Sequence, residues 1–229
     1  MKRVLIPLFT LICFGAKSQL VLQPNLGINL GQIFQESSNG EIEGKKPRIG
    51  FHVGVDINKS ISRSLFFQTG IELESIRRKV ENETTINLSS VTRKETYKEK
   101  TNIEYLNIPL KIYFKNPALD HGFRAGIGPV IGLGISGRSN ANWVVQNTTN
   151  TGQTTTETIS SNGKIEFGSG VDKYKRLNLS LGLNVSYLFK NRLIAGIYSR
   201  IGLTDIDNNS NLKSNIGSSG IIIGYHFSK

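Results

Sequence analysis

Large apolar residues occupy every second position between Tyr105 and Phe114 of this chain. They are Leu106, Ile108, Leu110, Ile112 and Phe114. The positions between them hold Tyr105, Asn107, Pro109, Lys111 and Tyr113. A period of two residues is typical of a β-strand, because successive side chains point to opposite faces. One face of this strand is hydrocarbon and the other is polar, so the fold must place the two faces in different environments.

The same alternation recurs along the chain and predicts eight strands in all. The other seven segments are Leu20–Gln32, Arg48–Asn58, Leu65–Lys79, Phe123–Arg138, Leu177–Phe189, Leu193–Thr204 and Ile221–Phe227. Most of these segments exceed the average strand of a soluble protein, whereas about 9–11 tilted residues suffice to span a bilayer. We therefore expect an all-β fold, an eight-stranded antiparallel transmembrane β-barrel.

The connections between these segments alternate in length. Short turns fall at Asn58–Ser62, Asn116–Asp120 and Lys190–Arg192. Long polar segments, expected to be solvated loops, fall at Glu36–Pro47, Val80–Thr101, Asn140–Asp172 and Asp205–Asn215. Short periplasmic turns and long extracellular loops are the pattern of an outer membrane barrel.

Alternation alone does not say whether the apolar face points outward to lipid or inward, as in a soluble lipocalin-like barrel. The polar face is rich in Gly, Asn and Ser, which suit the narrow lumen of eight strands. The apolar face is nearly free of charge, as a lipid-facing surface requires. Aromatic residues also recur near the strand ends, where they suit a membrane interface. These three features favour an outward apolar face, and the soluble binding barrel remains an alternative.

The N-terminus has the features of a secretory signal peptide. Met1–Arg3 is cationic, residues 4–14 are apolar, and Ala16 and Ser18 are small. We therefore assign residues 1–18 to the signal peptide and residues 19–229 to the barrel. The chain carries 28 basic and 17 acidic residues. Export argues against nucleic acid as the partner of this positive charge and favours outer membrane lipid and lipopolysaccharide.

Five charged residues lie on the predicted inner face: Glu72, Glu74, Lys111, Arg124 and Arg200. Glu72 and Arg200 lie at similar heights above their turns, on strands that face each other across a ring of eight. We therefore predict that Glu72 or Glu74 pairs with Arg200 across the lumen, with Lys111 nearby. Such a polar network closes the lumen and serves a structural purpose.

The sequence offers little support for catalysis or for a cofactor. The three histidines, His52, His121 and His226, are far apart and have no metal-ligand spacing. Cys13 is the one cysteine and lies in the signal peptide. Gly126 and Gly128 are a fragment of a phosphate-loop pattern, but no helix follows. We expect no metal, no cofactor and no enzymatic activity.

Pro109 sets a further test of the barrel. Proline cannot donate to a strand ladder, and a closed barrel has no edge strand in which to place it. We predict a bulge or a local break in pairing around Pro109.

Several segments resemble the PorT-like outer membrane β-barrel family of Bacteroidetes. They are residues 105–114, the glycine-rich strand at 125–132, residues 198–206 and the C-terminal Ile223–Phe227. The resemblance implies an outer membrane barrel and partners among envelope or secretion-machinery proteins. We therefore expect a non-enzymatic structural, assembly or surface-interaction role. A small passive or ligand-specific pore is the alternative within the same fold.

Overall fold

The computed structural model of the protein describes residues 20–37, 40–41, 45–116, 121–171, 173–209 and 212–227. The predicted signal peptide and residues 117–120 of the second short turn lie outside the described residues. Ten strands follow one another: β1 Leu20–Ser37, β2 Gly40–Glu41, β3 Lys45–Ser60, β4 Leu65–Asn87, β5 Val91–Lys115, β6 Gly122–Thr149, β7 Thr154–Lys164, β8 Leu177–Leu188, β9 Leu193–Gly202 and β10 Leu212–Tyr225. The described part contains no helix long and apolar enough to cross a membrane.

Eight of these strands form a closed antiparallel ring. Its order is β1–β3–β4–β5–β6–β8–β9–β10, and β10 pairs with β1 from Asn25↔Gly224 to Ser37↔Leu212. The two remaining strands lie outside the ring, with β2 paired to the upper end of β1 and β7 paired to the upper half of β6. The predicted eight-stranded antiparallel barrel is confirmed.

The apolar face points outward. Eight residues, one from each strand of the ring, expose 39–64% of their surface: Leu26, Ile49, Ile71, Ile108, Ile127, Leu183, Ile197 and Ile221. The alternate positions are buried and polar, as Asn107 and Lys111 on β5 illustrate. A soluble barrel would bury the hydrocarbon and expose the charges, so this arrangement is that of a barrel whose solvent is lipid.

Aromatic side chains cluster at the end of the short turns. Tyr187 makes edge contacts with Phe123 and Phe189, at ring-centroid distances of 5.0 Å and 4.8 Å. Tyr225 contacts Phe227 in the same way at 4.7 Å. An amphipathic aromatic belt of this kind suits the boundary between hydrocarbon and water.

Six strands, β1, β3, β4, β5, β6 and β10, are longer than the sequence indicates. The expectation of irregular solvated loops at Val80–Thr101 and Asn140–Asp172 is wrong for most of their length. β4 and β5 continue as one hairpin to the pair Asn87↔Thr92. β6 continues alongside β5 to Thr149 and then turns back into β7. The predicted loop at Asp205–Asn215 is likewise shorter, since β10 begins at Leu212. A four-stranded sheet, β4–β7, thus rises beyond the apolar belt.

The pairing breaks around Pro109, as predicted. Between β4 and β5 the ladder omits Gly70 and Ile71 opposite Ile108 and Pro109, and then resumes in the same register. The β5–β6 ladder skips the two residues after Pro109. There the backbones come very close, since a Cβ on Gly128 would lie 2.1 Å from the carbonyl oxygen of Leu110. The missing N–H donor is therefore accommodated by a local gap in the ladder without a change of register.

Placing a charge on the outer belt tests the assignment of this face. Leu26 is 63% exposed and lies near the middle of the apolar positions of β1. We expect Leu26→Arg to lower the free energy of unfolding of the vesicle-bound protein by about 2–4 kcal/mol, because a cation at the midplane of the bilayer is poorly solvated. Urea titration of folded, vesicle-bound protein measures this loss. Thr158→Arg on the exposed β7 is the control, and an equal effect of both substitutions would contradict a lipid-facing belt.

Candidate functional site

The lumen is filled by the alternate side chains of all eight ring strands. Because each strand points every second residue inward, each contributes a column of side chains, and the registers set their heights. In the middle of the lumen most of these side chains are polar. The buried polar side chains are Gln23, Asn25, Asn29, His52, Asp56, Gln68, Glu72, Glu74, Asn107, Lys111, Asn178, Asn184, Arg200 and Ser218.

Arg200 lies at the centre of this network. Its Nη2 atom donates to Glu72 and its Nη1 atom donates to Glu74, so one guanidinium bridges two carboxylates. β9, which carries Arg200, reaches β4, which carries both glutamates, across the lumen. All three side chains are 5% exposed or less. Charges removed from water in this way require partners, and the planar guanidinium can serve two acceptors at once.

Glu74 accepts four more hydrogen bonds, from side chains of β1, β5, β9 and β10. Asn29 of β1 donates to it at 3.2 Å and Asn107 of β5 at 3.0 Å. Tyr198 of β9 donates through its hydroxyl at 3.0 Å, and Ser218 of β10 at 2.8 Å. With Arg200, five side chains bind one carboxylate. The sequence pattern placed Asn29, Asn107 and Tyr198 on the inner face, whereas Ser218 lay outside the predicted strands. It gave no sign that these side chains meet at a single acceptor.

A second group lies beside the Arg200 cluster. The His52 ring is 2.6 Å from the amide oxygen of Asn25, whose nitrogen donates to Asp56 at 2.8 Å. His52 also packs against the Tyr198 ring, with centroids 5.2 Å apart. Lys111 is 2% exposed and lines the same small cavity as Glu72 and Arg200. His52 and Asp56 were not predicted members of the network, although their positions on the inner face of β3 were the available signal.

Arg124, the fifth predicted member, lies in a different layer. It donates to the side-chain oxygen of Gln23 at 3.3 Å, and its guanidinium lies 5.7 Å from the centre of the Phe66 ring. Phe66 itself stacks on Tyr113. This layer lies toward the short turns, because Arg124 follows the start of β6 by two residues. The expectation of one network containing all five charges is therefore corrected to two layers.

An apolar layer closes the lumen on the side of the long connections. Its buried core consists of Ile33, Ile76, Ile103, Tyr105, Ile206 and Ile216. Ile165, Phe167 and Tyr174, from the segment between β7 and β8, pack against it. Phe167 contacts Tyr105 edge-on at 6.4 Å. Part of the segment predicted as a solvated loop therefore folds back over the mouth of the barrel and covers it.

Little space remains around the central charges. The cavity lined by Glu72, Lys111 and Arg200 offers about 10 Å³ to a water-sized molecule. That is about the minimum needed for a single water. A larger open pocket of about 590 Å³ lies above the apolar layer, between Glu99, Lys164 and Tyr174. The described residues thus separate a polar lumen from an open extracellular mouth.

Glu99 organises the wall of this mouth. It accepts hydrogen bonds from Ser139 at 2.8 Å, Thr101 at 2.9 Å and Tyr97 at 3.1 Å, and Arg78 lies 4.0 Å away. Burial tends to raise the pKa of Glu99, but the hydrogen bonds and the charge of Arg78 hold it below its ordinary value. Burial and the neighbouring carboxylate raise the pKa of Tyr97 to about 12. Glu99 is therefore ionised at neutral pH and faces the positive charge of Arg78.

Among the described residues, no group of three His, Cys, Asp or Glu side chains is arranged to hold a metal ion. The chemistry that the lumen displays is ion pairing and hydrogen bonding between its own side chains.

Removing Arg200 tests the central cluster. We expect Arg200→Ala to lower the free energy of unfolding by about 3–5 kcal/mol, because two adjacent carboxylates would stay buried without their cation. Urea titration of vesicle-bound protein gives the value. Arg176→Ala, at an exposed position, is the control and should change stability by about 0.5 kcal/mol or less.

A triple variant, E72Q/E74Q/R200M, distinguishes the cost of lost side-chain packing from the cost of burying carboxylates without their cation. It removes all three charges, so we expect it to be more stable than Arg200→Ala alone. If Arg200→Ala cost no more than Arg176→Ala, the cluster would not hold the ring together.

Comparison with known proteins agrees with this architecture. The family model described as "Outer membrane protein beta-barrel domain" matches residues 16–208. No curated protein sequence matches the chain. Among solved structures, Ail, the attachment invasion locus protein of Yersinia pestis, is similar at 11% identity and a TM-score of 0.37, covering 91% of this chain and 99% of that one.

Two other bacterial barrels are similar to the same degree. Neisserial surface protein A is 12% identical with a TM-score of 0.35, covering 93% of this chain and all of its own. The N-terminal barrel of Pseudomonas aeruginosa OprF is 10% identical with a TM-score of 0.35, covering 92% of this chain and 100% of that one. The family match spans most of the chain, and we conclude that this protein belongs to the outer membrane protein beta-barrel domain family and resides in the outer membrane.

Proposed function

We propose that this protein is a non-enzymatic, non-conducting barrel that anchors a surface-interaction module. The observation that carries the proposal is the sheet of β4–β7, which continues the barrel wall beyond the apolar belt. On β5 the extension runs from Val91 to about Thr101, roughly 35 Å of strand at about 3.4 Å per residue. A strand that serves only to cross the membrane has no need of this length.

The free side of β7 is the part of the sheet best suited to a partner. β7 pairs with β6 from Arg138↔Lys164 to Thr148↔Thr154, and within the described ranges it has no other strand beside it. All 11 of its residues are exposed. They include few charges and no proline, so nothing in this edge repels another strand. An extended segment of a partner protein can add to such an edge through main-chain hydrogen bonds.

The filled lumen supports the non-conducting half of the proposal. The two charged layers and the apolar layer above them leave space for about one water near Arg200. Ion passage would require breaking the pairs between Arg200 and both glutamates, which is costly in a buried site. A passive or ligand-specific pore is therefore the less favoured alternative.

A second candidate comes from the motif at residues 105–114. Its resemblance to PorT-like barrels supports an assembly role with secretion or other envelope proteins. The contact surface for that role would be the periplasmic rim. There Arg63 is exposed in the short turn between β3 and β4, and Lys190 is exposed in the short turn between β8 and β9. The two candidates differ in which end of the barrel meets a partner.

Site-specific photo-crosslinking in intact cells distinguishes them. We expect a crosslinking residue at Thr156, on β7, to form a discrete protein adduct, because that edge is proposed to bind a partner strand. The same residue at Arg63 reports the periplasmic rim, and at the lipid-facing Phe123 it is the control. Adducts at Arg63 but not at Thr156 would favour the assembly role, and the absence of protein adducts at Thr156 would overturn the surface-interaction proposal.

Conductance tests the closed lumen directly. We expect purified protein fused into planar bilayers to give no current steps beyond those of protein-free liposomes, because the Arg200 layer leaves no continuous water path. Regular single-channel current steps from the folded protein would contradict the closed lumen and support the pore alternative.

A further inference from the structure

The outer face of the barrel carries a row of cations above the apolar belt. Four successive pairings place Arg48, Arg77, Asn102, Arg138 and Lys164 side by side across β3–β7. Four of the five residues are positively charged. The row lies on one side of the barrel and follows the strands that continue into the protruding sheet.

A second row lies directly above the first, two residues further along each strand. It consists of Lys46, Lys79, Lys100, Asn140 and Asn162. The spacing between the rows is about 7 Å along the strands. The next position up carries Glu81, which pairs with Lys46 at 3.1 Å and Lys79 at 2.5 Å. The two rows themselves contain seven cations and no carboxylate.

Both rows face the same way as the lipid-exposed residues. On β4 the inward positions Arg78 and Val80 are buried, so Arg77 and Lys79 share the face of Ile71. The Arg77 guanidinium lies 5.9 Å from the centre of the Phe51 ring, which belongs to the outer face of β3. Between belt and cations lies a single polar row, in which Ser136 donates to Glu104 at 2.6 Å. At about 3.4 Å per residue and a strand tilt of about 45°, the first row lies about 10 Å and the second row about 14 Å above Leu73, the last apolar outward residue of β4.

Carboxylates of the chain compensate only part of this charge. Lys79, which lies opposite Lys100, is paired with Glu81. Arg48 opposite Arg77, and Arg138 opposite Lys164, form like-charge pairs in a row without a carboxylate. Like charges directly opposite each other on neighbouring strands destabilise a sheet. In contrast, further up the same sheet Lys94 pairs with Glu83 at 2.8 Å. The rows therefore accumulate positive charge at one height of the barrel wall, and an anionic ligand at that height would relieve the repulsion.

We propose that Arg48, Arg77, Lys100, Arg138 and Lys164 form a binding site for the phosphorylated headgroups of outer leaflet lipid. The acyl chains of such a lipid lie along the apolar belt and its phosphates reach the two rows. Arginine binds phosphate with two parallel hydrogen bonds, and lysine contributes charge. The side-chain oxygen of Asn102 accepts a hydrogen bond from Arg48 at 3.1 Å, and Asn140 supplies an amide group beside the cations for the sugar hydroxyls. This inference rests on the outer membrane barrel and is independent of the partner proposed for β7.

Binding of lipid A to the detergent-folded, full-length barrel tests the site. Native mass spectrometry counts the lipids bound as diphosphoryl lipid A is titrated. The test variant K100Q/R138Q/K164Q changes three exposed side chains of the two rows. The control, R63Q/K115Q/K190Q, removes the same number of charges at the opposite, short-turn end of the barrel. A heat-modifiable gel shift checks that both variants are folded.

We expect the test variant to bind diphosphoryl lipid A on the order of 100-fold more weakly than the unmodified protein, at about 1 kcal/mol per cation. The control should bind like the unmodified protein. Binding should weaken with added salt, since the site is at the surface. Fully dephosphorylated lipid A should bind poorly, and excess inorganic pyrophosphate should fail to displace diphosphoryl lipid A because it has no acyl chains.

Three results would overturn the proposal. Equal weakening in both triple variants would indicate a net-charge effect without a site. Equal binding of phosphorylated and dephosphorylated lipid would show that the belt alone holds the lipid. Displacement by pyrophosphate would identify a site for free phosphate. Each result leaves the crosslinking test at Thr156 unaffected, so this inference and the proposed function fail separately.

Discussion

The buried charge cluster of Glu72, Glu74 and Arg200 is the constraint on which the ring depends. A carboxylate inside a narrow barrel is tolerated only when it is paired and hydrogen-bonded. Glu74 meets this condition with donors from β1, β5, β9 and β10 as well as the guanidinium of Arg200. These bonds connect β4 to four other strands of the ring. A slip of one residue in any of them would turn its donor toward lipid, so the cluster selects one register for these five strands.

The sequence predicts which way each side chain points better than it predicts what that side chain touches. Alternation with period two was sufficient to place Lys111 and Arg200 inside and Ile71 outside. The height of a residue is less visible, because it depends on strand tilt and on registers between strands that are not neighbours. Arg124 shows the difference: its face was correct, but its position two residues above a short turn places it beside Gln23 and Phe66, away from Arg200. The convergence of donors on Glu74 requires five registers at once, which no local pattern encodes.

The sheet that β4–β7 form beyond the apolar belt was not predicted, for a related reason. Alternation of apolar and polar residues marks a strand only when one of its faces meets an apolar environment. In β7 both faces meet water, so its Thr, Ser and Asn residues look like a loop although they form a regular ladder. Cross-strand ion pairs such as Lys94 with Glu83 are the remaining signal, and they emerge only once the register is known. The position of Phe167 was not predictable for a different reason. It is an isolated aromatic residue in a polar segment, and only the fold shows that this segment turns back onto the barrel core.

The two sides of the barrel wall treat charge in opposite ways. In the lumen, where the free space beside Arg200 is about that of one water, each carboxylate of the central pair has its cation within the chain. On the outer wall, Arg48 and Arg77 stand opposite each other with no carboxylate in their row. Like charges that remain adjacent at the surface repel each other. The repulsion is tolerable if the missing negative charge comes from outside the chain, and at this height above the apolar belt the abundant source is the membrane itself.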